Sequence, residues 1–202
     1  MSHLRFAGLP ERDQRMAVEA IIRAEPILMD ALERLLAMAL PDHYIASGAI
    51  YNTVWNSLTG KPPLTGIKDI DVVYFDDGDL SYEAEDAVIK AVDAQLGHLP
   101  VPVETRNQAR VHLWFPDRFG FSVPPLRSSA ESLGRYASKT HAVAARLERD
   151  GSLTLEAPFG LDDMFSFRIT PNPACDNRRT HHEKGERAKS VWPQVEIVPW
   201  AE

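Results

Sequence analysis

The chain holds a single cysteine, Cys175, so no disulfide can form within it, and a cross-linked extracellular scaffold is excluded. Cys175 stands among Pro173, Asp176 and Asn177 and reads as a loop thiol, not a nucleophile. No apolar run approaches the length that spans a bilayer, and the first residues lack the apolar core of a signal peptide. These absences lead to the expectation of a cytoplasmic protein with no membrane association. Positive charge is scarce too: 22 Lys and Arg face 29 Asp and Glu, a net charge of -7. A long nucleic-acid footprint needs clustered cations and is therefore not expected. A Gly-Lys-Ser phosphate loop, a dinucleotide-binding glycine fingerprint, a Ser-His-Asp pattern and an HExxH helix are all missing.

What is present is ordinary globular sequence with strong punctuation. The 202 residues are 44% hydrophobic and 25% charged, enough for one well-buried core. Helices are predicted from Pro10 to Arg23 and from Pro26 to about Leu40, followed by a strand over His43–Ala46. A helix over Ala49–Leu58, a Pro/Gly loop over Lys61–Gly66 and a central strand over Lys68–Phe75 come next. Ser81 caps a helix to Leu96, and Val101–Thr105 returns as a third strand. A short helix is predicted from Asn107 to Phe115, a loop from Pro116 to Arg127, and a helix from Ser128 or Ser129 to about Tyr136. Val143–Glu148 and Leu153–Ala157 form a hairpin across Asp150-Gly151. The alternation predicts an α/β (α+β) fold, a mixed sheet with flanking helices and a C-terminal hairpin and helices. We expect one domain over residues 1–202, with 174–202 a peripheral helix and tail.

The most informative string is Lys68-Asp69-Ile70-Asp71-Val72-Val73, preceded by Ala46-Ser47-Gly48-Ala49. In a strand, residues two apart share a face, so Asp69 and Asp71 project together while Ile70 enters the core. Two carboxylates so close repel unless a cation lies between them, and oxygen ligands of this kind suit magnesium. A glycine at a helix start offers backbone N–H groups to phosphate. The pattern points to metal-assisted phosphoryl chemistry.

This constellation resembles the nucleotidyltransferase superfamily of polymerase beta-like enzymes. Gly48 takes that family's glycine position, Asp69 and Asp71 its paired carboxylates, and Glu104 its third carboxylate. The strings Gly48 to Trp55, Asp69 to Asp76, Arg106 to Trp114 and Ala157 to Leu161 resemble a bacterial branch of nucleotidyltransferase-like proteins. The resemblance implies transfer of a nucleoside monophosphate from a nucleoside triphosphate to an acceptor not named by the sequence. It also implies magnesium, with manganese as a substitute, at Asp69, Asp71 and Glu104. Ala49 replaces the Gly or Ser usual after the motif glycine, leaving Ser47 as the nearby hydroxyl, and the interval from Gly48 to Asp69 is long. Both departures motivate a second reading, a catalytically silent nucleotide-binding or partner-binding module with the same fold.

Other residues carry two readings each. Asn52 and Trp55 share a helix face and serve either base contact or, for Trp55, the core and, for Asn52, a helix-sheet hydrogen bond. Arg106 and Arg110 suit a phosphate or an exposed ion pair. Lys68 and Lys61 can neutralise phosphate or simply be solvated. Ser47 and Gly48 with Asn52, Lys68, Arg106 and Arg110 form the candidate nucleotide-binding set. His112 and Trp114 read as packing groups. His181-His182-Glu183 lacks metal-ligand spacing and reads as a solvated cluster.

Generic duplex or single-stranded nucleic acid should bind weakly at about 150 mM salt. Filter binding or fluorescence anisotropy checks this, and nanomolar affinity for arbitrary sequences would contradict it.

Overall fold

The computed structural model describes residues 2–174 and 176–201, so the expectation for Cys175 lies outside the described residues. Two helices open the fold. In α1 (Glu11–Arg23), Glu11 and Asp13 occupy the first turn and Arg23 the last, matching the helix dipole. Its buried edge is Gln14, Val18 and Ile22, spaced four apart. In α2 (Pro26–Met38), Pro26 takes the first turn, and the Glu25 side chain accepts from the Ile27 N–H at 3.3 Å. Leu28, Ala31, Leu32 and Leu35 face the core, and Ala39, left-handed at φ 51°, ends the helix.

The sheet has five strands: β1 (Tyr44–Ala46), β2 (Ile70–Tyr74), β3 (Val103–Asn107), β4 (Ala144–Leu147) and β5 (Leu153–Glu156). Their order is β3-β2-β1-β4-β5. β2 and β3 are parallel, joined by α4 (Tyr82–Leu96), and the remaining pairs are antiparallel. Ser81 caps α4 by accepting from the Ala84 N–H at 3.2 Å. Between β1 and β2 lies α3 (Gly48–Thr59), whose residues are almost all buried. The mixed sheet with flanking helices matches the fold expected from sequence.

Several boundaries differ. Asp69 falls one residue before β2, and β3 runs on to Asn107, where a helix was expected. A short 3-10 turn over Gln108–Arg110 leads into α5 (Val111–Phe119), which contains Pro116 instead of ending before it. α6 (Ser129–Leu133) and α7 (Asp162–Phe165) are single turns. No helix among the described residues is long and apolar enough to cross a membrane.

The C-terminal segment is not peripheral, which corrects the sequence reading. α8 (Arg178–Val191) buries His181, Gly185 and Ala188. His181 is no solvated residue: Ser138 Oγ lies 2.7 Å from its Nδ1, and its Nε2 donates to the Val198 carbonyl at 2.9 Å. After the helix, Trp192 enters the core, 1% exposed. There Trp55 stacks on Phe167 at 5.3 Å, meets Trp192 edge-on at 5.2 Å, and donates Nε1–H to the Met164 carbonyl. Trp55 is thus a core residue. A two-stranded pair, β6 (Arg168–Ile169) with β7 (Glu196–Ile197), fastens the end of the chain.

The long interval before Asp69 is held by this same region. Asn52 Nδ2 donates to the Gly66 carbonyl at 3.1 Å and Asn56 Nδ2 to the Thr65 carbonyl at 2.9 Å. Gly66 has φ +74°, and a Cβ there would sit 2.4 Å from the Trp192 ring. Gly66→Ala should therefore destabilise by roughly 2–4 kcal/mol, from overpacking plus left-handed strain. Chemical denaturation measures it, and a neutral effect would show that the Trp192 contact yields freely.

Candidate functional site

Where β1 ends, Ser47 adopts φ 55° and ψ −115°, a conformation glycine takes readily and serine rarely. Holding it costs about 1–3 kcal/mol, and such strain clusters at functional turns. The Ser47 N–H donates to the Val143 carbonyl at 2.7 Å, and its carbonyl accepts from Ile50 and Tyr51 to start α3. At Gly48 a Cβ would meet only Asn52 Nδ2, at 3.7 Å. The fold thus makes no demand for glycine there, leaving close approach of a ligand as a reason for it.

Asp71 pairs in register with Ala46 on one side and Glu104 on the other. This places two carboxylate-bearing strands side by side next to the Ser47-Gly48 turn. Asp71 is half-buried, and its carboxyl is pushed up to about 6, by burial first and then by the charges of Asp69 and Glu104. Lys184 and Arg106 pull in the opposite direction without restoring it. Asp69 lies beside the exposed Lys68, whose Nζ is 3.8 Å away, a pairing of little worth in solvent. Glu104 is exposed. Among the described residues no group of three His, Cys, Asp or Glu side chains converges to hold a metal ion. Magnesium commonly takes one or two carboxylates and completes its shell from water and substrate phosphate. The oxygen donors of Asp69 and Asp71 fit that habit.

A cavity of about 750 Å³ opens over these strands. Asp71, Glu104 and Arg106 line it from the sheet, and Trp114, Phe115 and Arg118 from α5. Arg135, Tyr136, His141 and Lys184 also line it. The structure thus gathers Asp71, Glu104 and Arg106 of the predicted set on the cavity, with Ser47, Gly48 and Asp69 adjacent along β1 and β2.

Three predicted ligands are elsewhere. Asn52 is buried and its amide is committed to the Gly66 carbonyl, so it tethers the interval loop instead of meeting a base. Arg110 is paired with Glu85 of α4 and donates Nε–H to the Leu80 carbonyl at 3.0 Å. Glu85 also accepts the Asn107 N–H at 2.9 Å, so Arg110 is a largely buried clamp between α4 and the end of β3. Lys68 remains exposed, apart from the cavity wall.

Sequence reasoning missed Lys184, His141 and Tyr51. Burial lowers Lys184 from the usual ammonium range, while Asp71 and Asp69 hold it up against Arg187 and Arg118. His141 is buried against Tyr51, their rings stacked at 4.9 Å. Burial pushes the Tyr51 hydroxyl up to about 12, although the nearby Arg187 opposes this. None of these residues carries a local spacing signal. α8, the turn before β4 and α3 place Lys184, His141 and Tyr51 in turn, and only tertiary structure brings them together.

Comparison with known proteins adds to this geometry. A family model described as Nucleotidyltransferase matches residues 33–197. A solution NMR structure described as revealing a CCA-adding enzyme head domain is similar in fold, with a TM-score of 0.73 at 24% identity. The similarity covers 91% of this chain and 95% of that one. No curated protein sequence matches the chain.

The raised Asp71 carboxyl has a testable sign. Its folded value, about 6, lies above the ordinary 3.8, so the folded state holds the proton more tightly than the unfolded one. Stability therefore falls as pH rises from about 4 to about 6 and stays lowered above that range. Without metal at pH 7, Asp71→Asn should be more stable than wild type by on the order of 1–3 kcal/mol. That gain should fade as pH falls toward 4. Denaturation at both pH values checks it, and a destabilised variant at pH 7 would give Asp71 a structural role.

Proposed function

Because the chain belongs to the nucleotidyltransferase family, we propose that it transfers a nucleoside monophosphate from a nucleoside triphosphate to an acceptor hydroxyl or phosphate, with magnesium required. The observation that carries this reading is the register of Asp71 beside Glu104, next to the Ser47-Gly48 turn and open to one cavity. In this reading the α3 N-terminus and the Ser47-Gly48 backbone receive the triphosphate. Arg106 and Lys184 offset its charge. Asp69 and Asp71, with Glu104 after a side-chain rotation, would hold magnesium, and manganese would substitute. When bound, the metal supplies charge neutralisation and Lewis acidity at the reacting phosphate. Glu104, exposed at the cavity edge, takes the acceptor proton. The acceptor oxygen forms a bond to the α-phosphorus, the α–β bridge breaks, and pyrophosphate leaves.

A silent nucleotide-binding module is the second reading. It is favoured by Ala49, which offers no hydroxyl, and by the Lys184 ammonium already acting on the two aspartates.

Thermal shift and product analysis separate the two. Magnesium and a triphosphate should stabilise together more than either does alone, and Asp71→Asn should abolish the joint effect. With pooled acceptors, pyrophosphate should be the inorganic product. Binding without turnover would select the silent module, and release of orthophosphate with a nucleoside diphosphate would indicate a kinase or hydrolase.

A further inference from the structure

His141 is 1% exposed, and neither of its ring nitrogens finds a hydrogen-bond partner in the protein. Among the described residues no other side chain has two such atoms. Buried polar groups are ordinarily satisfied, so a doubly unpartnered imidazole calls for an explanation. Its surroundings supply one. His141 ends a 3-10 turn over Lys139–His141, two residues before the Val143 carbonyl that accepts the Ser47 N–H. One face of the ring stacks on Tyr51, one helical turn beyond Gly48. His141 is among the residues that line the cavity also holding Asp71 and Lys184.

We propose that His141 contacts substrate, as a neutral imidazole hydrogen-bonding a hydroxyl of the molecule bound in this cavity. The inference rests on the nucleotidyl-transfer reading above. A neutral imidazole has one N–H donor and one acceptor nitrogen, the same pair a hydroxyl offers in reverse. Phosphate would match the cations better, since it can only accept from His141 and would leave the acceptor nitrogen unpaired. Burial first, and then the positive charges of Lys184 and Arg187, disfavour the protonated ring. His141 thus positions a hydroxyl and carries no proton in the reaction. The hydroxyl has two sources, the ribose of the nucleotide or the acceptor.

Two variants isolate the hydrogen bonds from the packing. His141→Phe keeps a ring against Tyr51 and removes both nitrogens, and His141→Gln restores a donor and an acceptor. Calorimetric titration uses ATP, 2′-deoxy-ATP and 3′-deoxy-ATP with magnesium, beside pyrophosphate release with pooled small-molecule acceptors. If the ribose supplies the hydroxyl, wild type should bind ATP about tenfold tighter than one deoxy analogue. His141→Phe should lose that preference without weakening the analogue, and Gln should partly restore it. If the acceptor supplies it, all three nucleotides should bind wild type and His141→Phe alike. The acceptor KM should then rise about tenfold in His141→Phe and fall back in His141→Gln. A folded His141→Phe within twofold of wild type in every one of these readouts overturns the proposal.

Should His141→Phe fail to fold, 15N NMR of the wild-type imidazole decides. Its nitrogen shifts should move on adding ATP and magnesium, alone or with the acceptor pool, and unmoved shifts overturn the proposal. Asp71→Asn serves as the control. If Asp71→Asn binds nucleotide and magnesium like wild type, and wild type itself releases no pyrophosphate, the transfer reading itself fails. Normal turnover with an indifferent His141 removes only this proposal.

Discussion

The constraint on which the site depends is the crowding of negative charge at the start of β2. Asp71 is partly withdrawn from water beside Asp69 and Glu104, and its ionised form is less favourable there than in solution. A chain can hold such a group only if other interactions fix the backbone around it. Here that backbone is an interior strand of the sheet, where β2 is flanked by β1 and β3 and covered by α3. The three strands bring the carboxylates and the Ser47 turn together, whatever the side chains prefer.

The counterweight comes from far along the sequence. α8 sets Lys184 over the carboxylates and Arg187 near Tyr51. Its own position depends on apolar contacts: Ala188 in the core, Gly185 against Ile197, and Trp192 on Trp55 and Gly66. The aromatic core and the electrostatics of the site are therefore linked. A change that loosens Trp192 frees both the loop before Asp69 and the helix that brings in Lys184.

What could be read from the sequence was what local physics decides. The Pro26 start, the Ser81 cap and the Asp150-Gly151 turn each act within a few residues, and those elements formed as expected. Glu104 beside Asp71 was also legible, because a strand–helix–strand crossover yields parallel neighbours. Arg110 and Asn52 were misjudged because their partners, Glu85 and Gly66, lie 25 and 14 residues away. Nothing in a guanidinium or an amide says which partner it will find. The polar composition of α8 suggested a solvated helix, yet its small residues at 185 and 188 and the Trp192 beyond it form a buried edge. His141 carried no signal at all, since its importance lies in what it fails to bond.

The docking of Trp192 onto Gly66 also bears on how the chain is made. Translation proceeds from the N-terminus, so Ser47, Asp69, Asp71 and Glu104 leave the ribosome well before α8. Until Trp192 emerges, the loop before Asp69 lacks its cover and Trp55 lacks a neighbour. A nascent chain thus carries its acidic residues in an unfinished setting until α8 and Trp192 follow.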